Sequence, residues 1–258
     1  MARLILFTDL DGTLLDHETY AYEPALPVLE RLKKLRVPVI LASSKTEAEI
    51  TALQGELGLA VWPAIVENGA GVLWPGSDDA GSDHGEILAK LGLVDPALRG
   101  KFSGFSDWSV EELAERTGLT LKAAARARQR RFSEPGVFTG TSGERCAFVA
   151  ALQREGLTAR MGGRFLTLSH GATKAGRMAE IVDRLTGGEP VATLALGDAP
   201  NDIEMLESAD IGVIVANPAH EPLPIIKGED EGRISRTTQA GPAGWAEAVD
   251  AVLDREME

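Results

Sequence analysis

The first apolar run of the chain, Leu4–Thr8, leads directly into the acidic turn Asp9-Leu10-Asp11-Gly12-Thr13. A short apolar run is typical of a buried strand, and an open α/β sheet binds its ligands at the carboxyl ends of its strands. Asp9 and Asp11 would then share one strand end, where their charges repel each other unless a cation lies nearby. Oxygen ligands of this kind suit Mg²⁺, although the same residues also fit a simple Asx turn. The run therefore predicts an α/β fold with a ligand site at this strand end.

Strand and helix patterns alternate through the first part of the chain. Short apolar runs alternate with stretches whose apolar residues recur at helical spacing, and Thr46 followed by Glu49 predicts a capping box. The predicted elements are a strand at 4–8, a helix at 24–35, a strand at 37–42, a helix at 46–57 and a strand at 64–66. Such alternation is typical of a parallel sheet with helices on both faces.

The pattern changes after residue 77. A polar stretch, Ser77-Asp78-Asp79-Ala80-Gly81-Ser82-Asp83, is typical of a linker, and Ser109 and Thr120 are candidate N-caps of later helices. The predicted helices lie at 110–117, 121–129 and 144–154, and the predicted strands at 136–139, 158–161 and 165–169. This mixture indicates an inserted α+β unit of the size of a small domain.

The alternation returns in the last third of the chain. The predicted elements there are a helix at 173–185, a strand at 191–196, a helix at 202–208, a strand at 211–215 and a helix at 242–253. The charged residues at 229–236 predict a mobile loop. The whole pattern predicts a doubly wound, Rossmann-like parallel-sheet core of residues 1–80 and 169–258, interrupted by an α+β cap domain of residues 81–168.

Composition excludes several classes of protein. The net charge of −13 over 258 residues argues against a nucleic-acid partner, because nucleic-acid binding requires a basic patch. A single cysteine, Cys146, allows no intramolecular disulfide. No apolar stretch approaches the length that spans a membrane, and no signal-peptide pattern opens the chain. We therefore expect a cytoplasmic protein without a membrane partner, and the sequence indicates no oligomeric state.

Three further element ends carry groups that can act with the first acidic pair. Ser43 and Ser44 follow the second predicted strand and precede a helix, where hydroxyl and N–H groups can hold a phosphate, although a simple N-cap looks the same. Lys174 begins a later helix, and Gly197-Asp198-Ala199-Pro200-Asn201-Asp202 follows a later strand. Taken singly, the lysine is also a common surface charge and the acidic loop a common turn. Their order and their positions favour one shared site.

These residues resemble the four motifs of the haloacid dehalogenase superfamily of phosphohydrolases, and the insert resembles its C2 type of cap. The matching residues are Asp9-x-Asp11, Ser43, Lys174 and Asp198-x-x-x-Asp202. The resemblance covers the full chain, because the insert lies between the second and third motifs. It implies hydrolysis of a phosphate ester through an aspartyl-phosphate, with Mg²⁺ as the cofactor.

The resemblance also implies a role for each of these residues. Asp9 would be the nucleophile, and Asp11 the general acid and then the general base. Ser43 and Lys174 would hold the phosphoryl oxygens. The implied metal ligands are Asp9, the backbone carbonyl of Asp11, Asp198 and, through water, Asp202. An acid at position 11 favours phosphate-ester hydrolysis or a mutase over other phosphoryl transfers.

Four segments resemble the mannosyl-3-phosphoglycerate phosphatase branch of this superfamily. They are Glu67-Asn68-Gly69-Ala70-Gly71, Arg131-Phe132-Ser133-Glu134-Pro135, the stretch 163–171 and Gly241-Pro242-Ala243-Gly244-Trp245. The implied substrate combines a phosphate, a carboxylate and a hexose, so Arg131 or Arg164 can bind the carboxylate of this sugar-glycerate phosphate. Asn68, Ser169 and His170 can donate hydrogen bonds to it or to the sugar. The implied product is mannosylglycerate, an osmolyte.

Other interpretations stay open at this point. Arg131 also fits the solvated face of a helix over 126–131, His170 a loop residue with backbone partners, and Trp245 the core. The substrate can instead be sucrose-phosphate or a simple hexose phosphate. A phosphomannomutase-like phosphotransferase and a non-catalytic sugar-phosphate sensor are further alternatives, although a sensor needs no nucleophile and acid together.

Overall fold

The structure, a computed structural model, describes residues 4–77, 81–162 and 164–256. Part of the predicted linker (Asp78, Asp79 and Ala80) and Gly163 therefore lie outside the described residues. The strands are β1 Leu4–Thr8, β2 Val39–Ala42, β3 Ala64–Val66, β4 Gly71–Leu73, β5 Phe102–Gly104, β6 Glu134–Phe138, β7 Thr158–Gly162, β8 Phe165–Ser169, β9 Ala192–Gly197, β10 Ile211–Ala216 and β11 Ile234–Ala240. The helices are α1 Leu26–Lys34, α2 Glu47–Leu57, α3 His84–Leu91, α4 Pro96–Arg99, α5 Val110–Thr117, α6 Leu121–Ala127, α7 Ser142–Arg154, α8 Lys174–Thr186, α9 Ile203–Ser208 and α10 Gly241–Glu256.

A seven-stranded sheet forms the larger unit, in the order β11-β10-β9-β1-β2-β3-β4. All neighbouring strands are parallel except the edge strand β4, which pairs antiparallel with β3. The predicted α/β core with a doubly wound parallel sheet is confirmed. Its first strand lies in the middle of the sheet, between β9 and β2, so that the acidic turn after β1 has a strand end on either side.

The strand β1 is buried on both faces, because helices cover both sides of the sheet. Leu4 and Leu6 belong to one apolar cluster, which includes residues of α1 and α10. Ile5 and Phe7 belong to a second cluster, on the side of α8 and α9. The alternation of side chains along a strand separates the two layers. A continuous apolar run is therefore what a strand at this position requires.

The inserted unit has its own antiparallel sheet, in the order β5-β6-β8-β7. One face carries α3 and α7, which contribute to a core around Phe102 and Phe148. The other face carries α5 and α6, which surround Phe105 and Trp108. Two apolar layers on one sheet give this unit a core of its own. Phe132 is an exception, since it packs into the core of the larger unit.

Helix starts agree closely with the sequence. Thr46 and Ser109 both form capping boxes, with Glu49 and Glu112 at the third helical position. These predictions are confirmed because a cap depends on residues within a single turn. Within the described residues, no helix combines the length and the apolar character that crossing a membrane requires.

The predicted loop at 229–236 is partly wrong. Residues from Ile234 onward form the edge strand β11, which pairs in parallel with β10. Arg236 donates two hydrogen bonds of 2.8 Å to Glu229, and these bonds lower the pKa of the Glu229 carboxyl to about 2. The charged residues therefore pair with each other within the segment. The strands β4 and β5 and the helices α3 and α4 were likewise absent from the sequence prediction.

A substitution of Trp245 tests the packing of the larger unit. Trp245 is fully buried, and its Nε1 donates a 3.0 Å hydrogen bond to Thr8 Oγ1 at the end of β1. We expect Trp245→Phe to lower the free energy of unfolding by about 2 kcal/mol, because it loses this bond and leaves unfilled volume. Urea unfolding followed by circular dichroism measures the change. Leu121→Ala, at an exposed position, is the control, and equal stability of the two variants would contradict the prediction.

Candidate active site

The carboxyl ends of three adjacent strands bring the predicted residues together. Asp9 follows β1, Ser43 follows β2 and Asp198 follows β9, and β1 lies between the other two strands. The backbone N–H of Asp9 donates to the carbonyl of Leu196 on β9 at 2.9 Å, which fixes the position of the turn. Parallel strands end at one edge of the sheet, and residues far apart in the chain therefore meet there.

Lys174 forms the charged centre of this edge. Its Nζ lies 2.6 Å from Asp9 Oδ1 and 2.7 Å from Asp202 Oδ1, and its side chain is 2% exposed. Burial lowers the pKa of this amine, but the charges of Asp202 and Asp9 outweigh burial and raise it overall. The lysine therefore carries a proton and holds the two carboxylates. It begins α8, where Thr173 accepts a capping hydrogen bond.

Asp9, Asp198 and Asp202 form a buried carboxylate cluster, in which one ligand atom of each lies within 4.8 Å of the others. Burial and the charge of Asp202 raise the pKa of Asp9 well above its usual value, and Lys174 only partly offsets this. Carboxylates outnumber the lysine in the cluster, and carboxylate oxygens suit a hard divalent cation. The donor set therefore fits Mg²⁺.

Asp198 is held by residues that sequence reasoning missed. Asn217 Nδ2 and His220 Nε2 lie 2.8 Å and 2.9 Å from its Oδ2, and Thr13 Oγ1 donates to Oδ1 at 2.6 Å. Burial lowers the pKa of His220, but the hydrogen bond to Asp198 raises it overall. Asn217 follows the carboxyl end of β10, the strand beside β9, and this position is the signal that could have identified it.

Asp11 is separate from the carboxylate cluster. Its Oδ1 forms a 2.9 Å ion pair with Lys45 Nζ, at the mouth of a cleft between the two units. Burial lowers the pKa of Lys45, but the charges of Asp11 and Glu49 raise it overall. Sequence reasoning missed Lys45, although it directly follows the predicted pair Ser43-Ser44.

The two serines of this loop have different surroundings. Ser43 is buried, and its Oγ accepts a hydrogen bond from the backbone N–H of Lys45 at 3.2 Å. Ser44 is exposed, and its carbonyl accepts a 3.1 Å hydrogen bond from Arg130 Nη1. Ser43 is therefore the serine that lies at the strand end, beside Asp9.

Two neighbouring cavities, of about 230 Å³ and 330 Å³, form the cleft between the units. They share Asn68, Gly162 and Thr167. The 230 Å³ cavity reaches Asp11 and is lined by three cationic side chains, those of Lys45, Arg130 and Arg164. The 330 Å³ cavity reaches Lys174 and is lined by Ser169, Thr173 and Asn201. A ligand that spans the two cavities would therefore reach Asp11 on one side and Lys174 on the other.

Several predicted substrate contacts occupy other positions. Arg131 lies beyond the end of α6 and therefore not on a helix face. Its guanidinium contacts Glu47 and the carbonyl of Gly81, and it does not line the cleft. His170 lies 3.9 Å from Glu86 and is not among the residues that line the cleft. Arg130, one residue earlier, lines the cleft together with Arg164.

The other predicted contacts stay near the cleft. Arg164 Nη2 donates to the carbonyl of Thr117 at 3.1 Å, and its guanidinium lies over the ring of Phe165. Ser169 Oγ accepts from the backbone N–H of Gly171 at 3.2 Å. Trp245 lies in the core, as its alternative interpretation held.

Comparison with known proteins identifies the family. The model of the haloacid dehalogenase-like hydrolases matches residues 6–83 and 157–225, which include every strand-end residue described above. The chain belongs to the haloacid dehalogenase-like hydrolase family. The match leaves out most of the inserted unit of this hydrolase and the last part of the larger unit, from residue 226 onward.

Solved structures share the fold of this hydrolase over almost its whole length. The sucrose-phosphatase of Synechocystis sp. PCC6803 is 19% identical over 97% of this chain and 98% of that one, with a TM-score of 0.63. A haloalkanoate-superfamily phosphatase of Bacteroides thetaiotaomicron is 17% identical over 98% and 94%, with a TM-score of 0.68. A Thermoplasma acidophilum protein is 18% identical over 100% and 99%, with a TM-score of 0.64. These identities show a common fold, inserted unit included.

Lys174→Met tests the buried charge centre. The substitution leaves Asp9 and Asp202 without their cation in a site that excludes water, and we expect it to lower the free energy of unfolding by about 3 kcal/mol. Chemical denaturation at pH 7 measures the change. Lys227→Met, at an exposed position, is the control, and a difference below about 0.5 kcal/mol between the two variants would contradict the assignment.

Proposed function

We propose that this hydrolase is a Mg²⁺-dependent phosphatase that acts on phosphorylated sugars. The observation that carries the proposal is the buried contact between Lys174 and Asp9, beside two further carboxylates and below a cleft lined with cations. A carboxylate fixed by a lysine that reaches a cleft can attack phosphorus, while a lysine and a metal ion offset the charge of the phosphoryl group. The family is consistent with this chemistry.

The reaction begins with attack by Asp9. A carboxylate oxygen of Asp9 forms a bond to phosphorus as the bond from phosphorus to the ester oxygen breaks. Asp11 donates a proton to the leaving alkoxide, and Lys174 and Ser43 hold the phosphoryl oxygens. A water molecule then attacks the aspartyl-phosphate, Asp11 accepts its proton, and phosphate and free Asp9 result.

The carboxylate cluster provides the metal site of the proposed enzyme. Asp9, Asp198 and the backbone carbonyl of Asp11 would bind Mg²⁺ directly, and Asp202 would act through water. When bound, Mg²⁺ offsets the negative charge that the nucleophile and the phosphate bring together. Thr13, Asn217 and His220 orient Asp198 by hydrogen bonds, as metal-binding carboxylates generally require.

The cleft supports a substrate with an anionic group besides its phosphate. Lys45, Arg130 and Arg164 line one cavity together with the carboxylates of Asp11 and Glu49, which leaves an excess of positive charge for an anionic group. Mannosyl-3-phosphoglycerate, with its carboxylate, is the substrate we propose, and Asn68 and Ser169, which line the 330 Å³ cavity, would bind its hydroxyls. The four sequence segments above support this choice. Arg164 and Arg130, rather than Arg131, would bind the carboxylate.

A second candidate substrate is sucrose-phosphate. It is favoured by the fold shared with the sucrose-phosphatase of Synechocystis. In both cases residues 1–80 and 169–258 would form the catalytic core, and residues 81–168 the cap that covers the sugar. Only the phosphoglycerate carries a carboxylate. The cationic side chains of the cleft therefore favour it over sucrose-phosphate.

Metal binding can be tested without turnover. A ligand that binds the folded state raises its stability by about 2.7 kcal/mol at a concentration 100 times its Kd. We expect MgCl₂ to raise the Tm of the wild type, and the rise to be lost in Asp198→Asn. Differential scanning calorimetry measures it, with EDTA as reversal. Asp183→Asn, at an exposed position on α8, is the control, and equal shifts in all three proteins would contradict the metal site.

Phosphate release from a substrate panel tests the reaction and its substrate. The panel contains mannosyl-3-phosphoglycerate, glucosyl-3-phosphoglycerate, sucrose-6-phosphate and mannose-6-phosphate, each with and without Mg²⁺. We expect Mg²⁺-dependent release with a preference for the phosphoglycerate glycosides, and a loss of at least about 1,000-fold in Asp9→Asn, since that variant lacks the nucleophile.

The other outcomes are equally informative. A preference for sucrose-6-phosphate would support the second candidate and remove the carboxylate role of Arg164. Release that depends on a sugar bisphosphate activator would indicate the phosphotransferase. Unchanged activity in Asp9→Asn would contradict the proposed mechanism.

A further inference from the structure

Three successive residues after β3 adopt left-handed backbone conformations. The φ angles are 51° for Glu67, 60° for Asn68 and 94° for Gly69. Residues other than glycine seldom adopt this left-handed conformation, which costs about 1 kcal/mol or more for each such residue. Only glycine fits at the third position, because a Cβ there would lie 2.2 Å from the carbonyl carbon of Thr173. A strained conformation of this kind persists only where surrounding contacts hold it.

The backbone of this loop is hydrogen-bonded to residues 43–45, which we call the phosphate-binding loop of the proposed site. The N–H of Glu67 donates to the carbonyl of Lys45 at 3.0 Å, and the N–H of Asn68 donates to the carbonyl of Ser43 at 2.9 Å. The loop also touches the start of α8 at Lys174. It therefore contacts the segments that carry Ser43, Lys45 and Lys174.

The side chain of Glu67 points away from these contacts and binds the inserted unit. It is fully buried, and its carboxylate accepts hydrogen bonds from the N–H of Arg131 at 2.8 Å, the N–H of Phe132 at 3.1 Å and Ser133 Oγ at 2.6 Å. All three donors belong to residues 130–133, which we call the docking segment. Phe132 of that segment packs into the core of the larger unit. One carboxylate thus fastens the inserted unit to the catalytic loops.

Arg130 completes the connection. Its Nε lies 3.3 Å from Glu67 Oε2, its Nη2 donates to Ser133 Oγ at 2.8 Å, and its Nη1 donates to the carbonyl of Ser44 at 3.1 Å. The guanidinium is 5% exposed, and the residue lines the cleft that reaches Asp11. A buried charge pair between two units is costly unless both partners are in place, so it favours one relative position of the units.

We propose that Glu67 is a positioning residue, which holds the docking segment and Arg130 on the phosphate-binding loop and so sets the cap over the substrate. This inference rests on the proposed function, since it assigns the sugar and its carboxylate to the cleft below the cap. Glu67 lines the 330 Å³ cavity, but its carboxylate is bound by the docking segment. Its effect on turnover passes through the docking segment, and only substrates large enough to contact the cap depend on it.

Two substrates of different reach distinguish positioning from general damage. Acetyl phosphate is small and has a good leaving group, so its hydrolysis needs the strand-end residues but little of the cap. We expect Glu67→Gln to lower kcat/KM for the best sugar phosphate of the panel at least about tenfold, with a lower kcat as well as a higher KM, because misplacement of a substrate by about 1 Å is costly. The value for acetyl phosphate should stay within about threefold.

Matched variants localise the effect. Arg130→Met should lower kcat/KM for the sugar phosphate at least as much as Glu67→Gln, because it also removes the proposed carboxylate contact. The double variant should be no worse than Arg130→Met alone, since both changes break one connection. Lys122→Met, at an exposed position on α6 of the inserted unit, is the control. Equal losses for both substrates, or no loss for the sugar phosphate, would overturn the proposal.

A distance measurement tests the same proposal without any substrate. Cys146 lies exposed on α7 of the inserted unit and is the only cysteine of the chain. Asp183→Cys adds a label site on α8 of the larger unit, and double electron–electron resonance between two nitroxide labels reports the distribution of distances. We expect a distribution that is narrow with Glu67 and broader with Glu67→Gln. An unchanged distribution would overturn the proposal even if no sugar phosphate of the panel were hydrolysed.

Discussion

The buried contact of Lys174 with Asp9 and Asp202 is the interaction on which the remainder of the site depends. Three charges without water are costly, and they are stable together only at hydrogen-bonding distance and in a fixed geometry. That geometry requires the ends of β1 and β9 and the first residue of α8 to meet at one point. The apolar layers on both faces of the sheet hold these three element ends in place. The geometry of the site therefore depends on the packing of the core.

The inserted unit is held by a different kind of force. Its own two apolar layers stabilise it internally, whereas its connection to the larger unit includes one aromatic side chain, Phe132, and the buried polar contacts of Glu67 and Arg130. Hydrogen bonds depend on direction more strongly than apolar contacts do. Contacts of this kind favour one position of the inserted unit over the cleft, and in the proposed enzyme that position would determine which part of a substrate meets Lys45 and Arg164.

Local patterns carried most of the fold. The strands Leu4–Thr8, Ala64–Val66 and Phe165–Ser169 have the predicted bounds, and the capping boxes of Thr46 and Ser109 are present. Prediction was wrong where an element lacks its own apolar pattern. β11 is an edge strand with exposed polar residues, and it pairs only because β10 lies beside it. Its charges resemble those of a loop until Arg236 is placed against Glu229.

The sequence by itself determined the type of fold and the strand-end groups Asp9, Asp11, Ser43, Lys174 and Asp198, because residue type and spacing place these groups at element ends. The tertiary structure alone decided which groups meet across the chain. The sequence offered Arg131 or Arg164 as the cleft arginine, and the structure places Arg164 and Arg130 there. Glu67 binds the backbone N–H of Arg131, whose guanidinium contacts Glu47 outside the cleft. Lys45, Asn217 and His220 join the site in the same way. A contact between residues distant in sequence depends on the packing of the elements between them, and no local pattern records it.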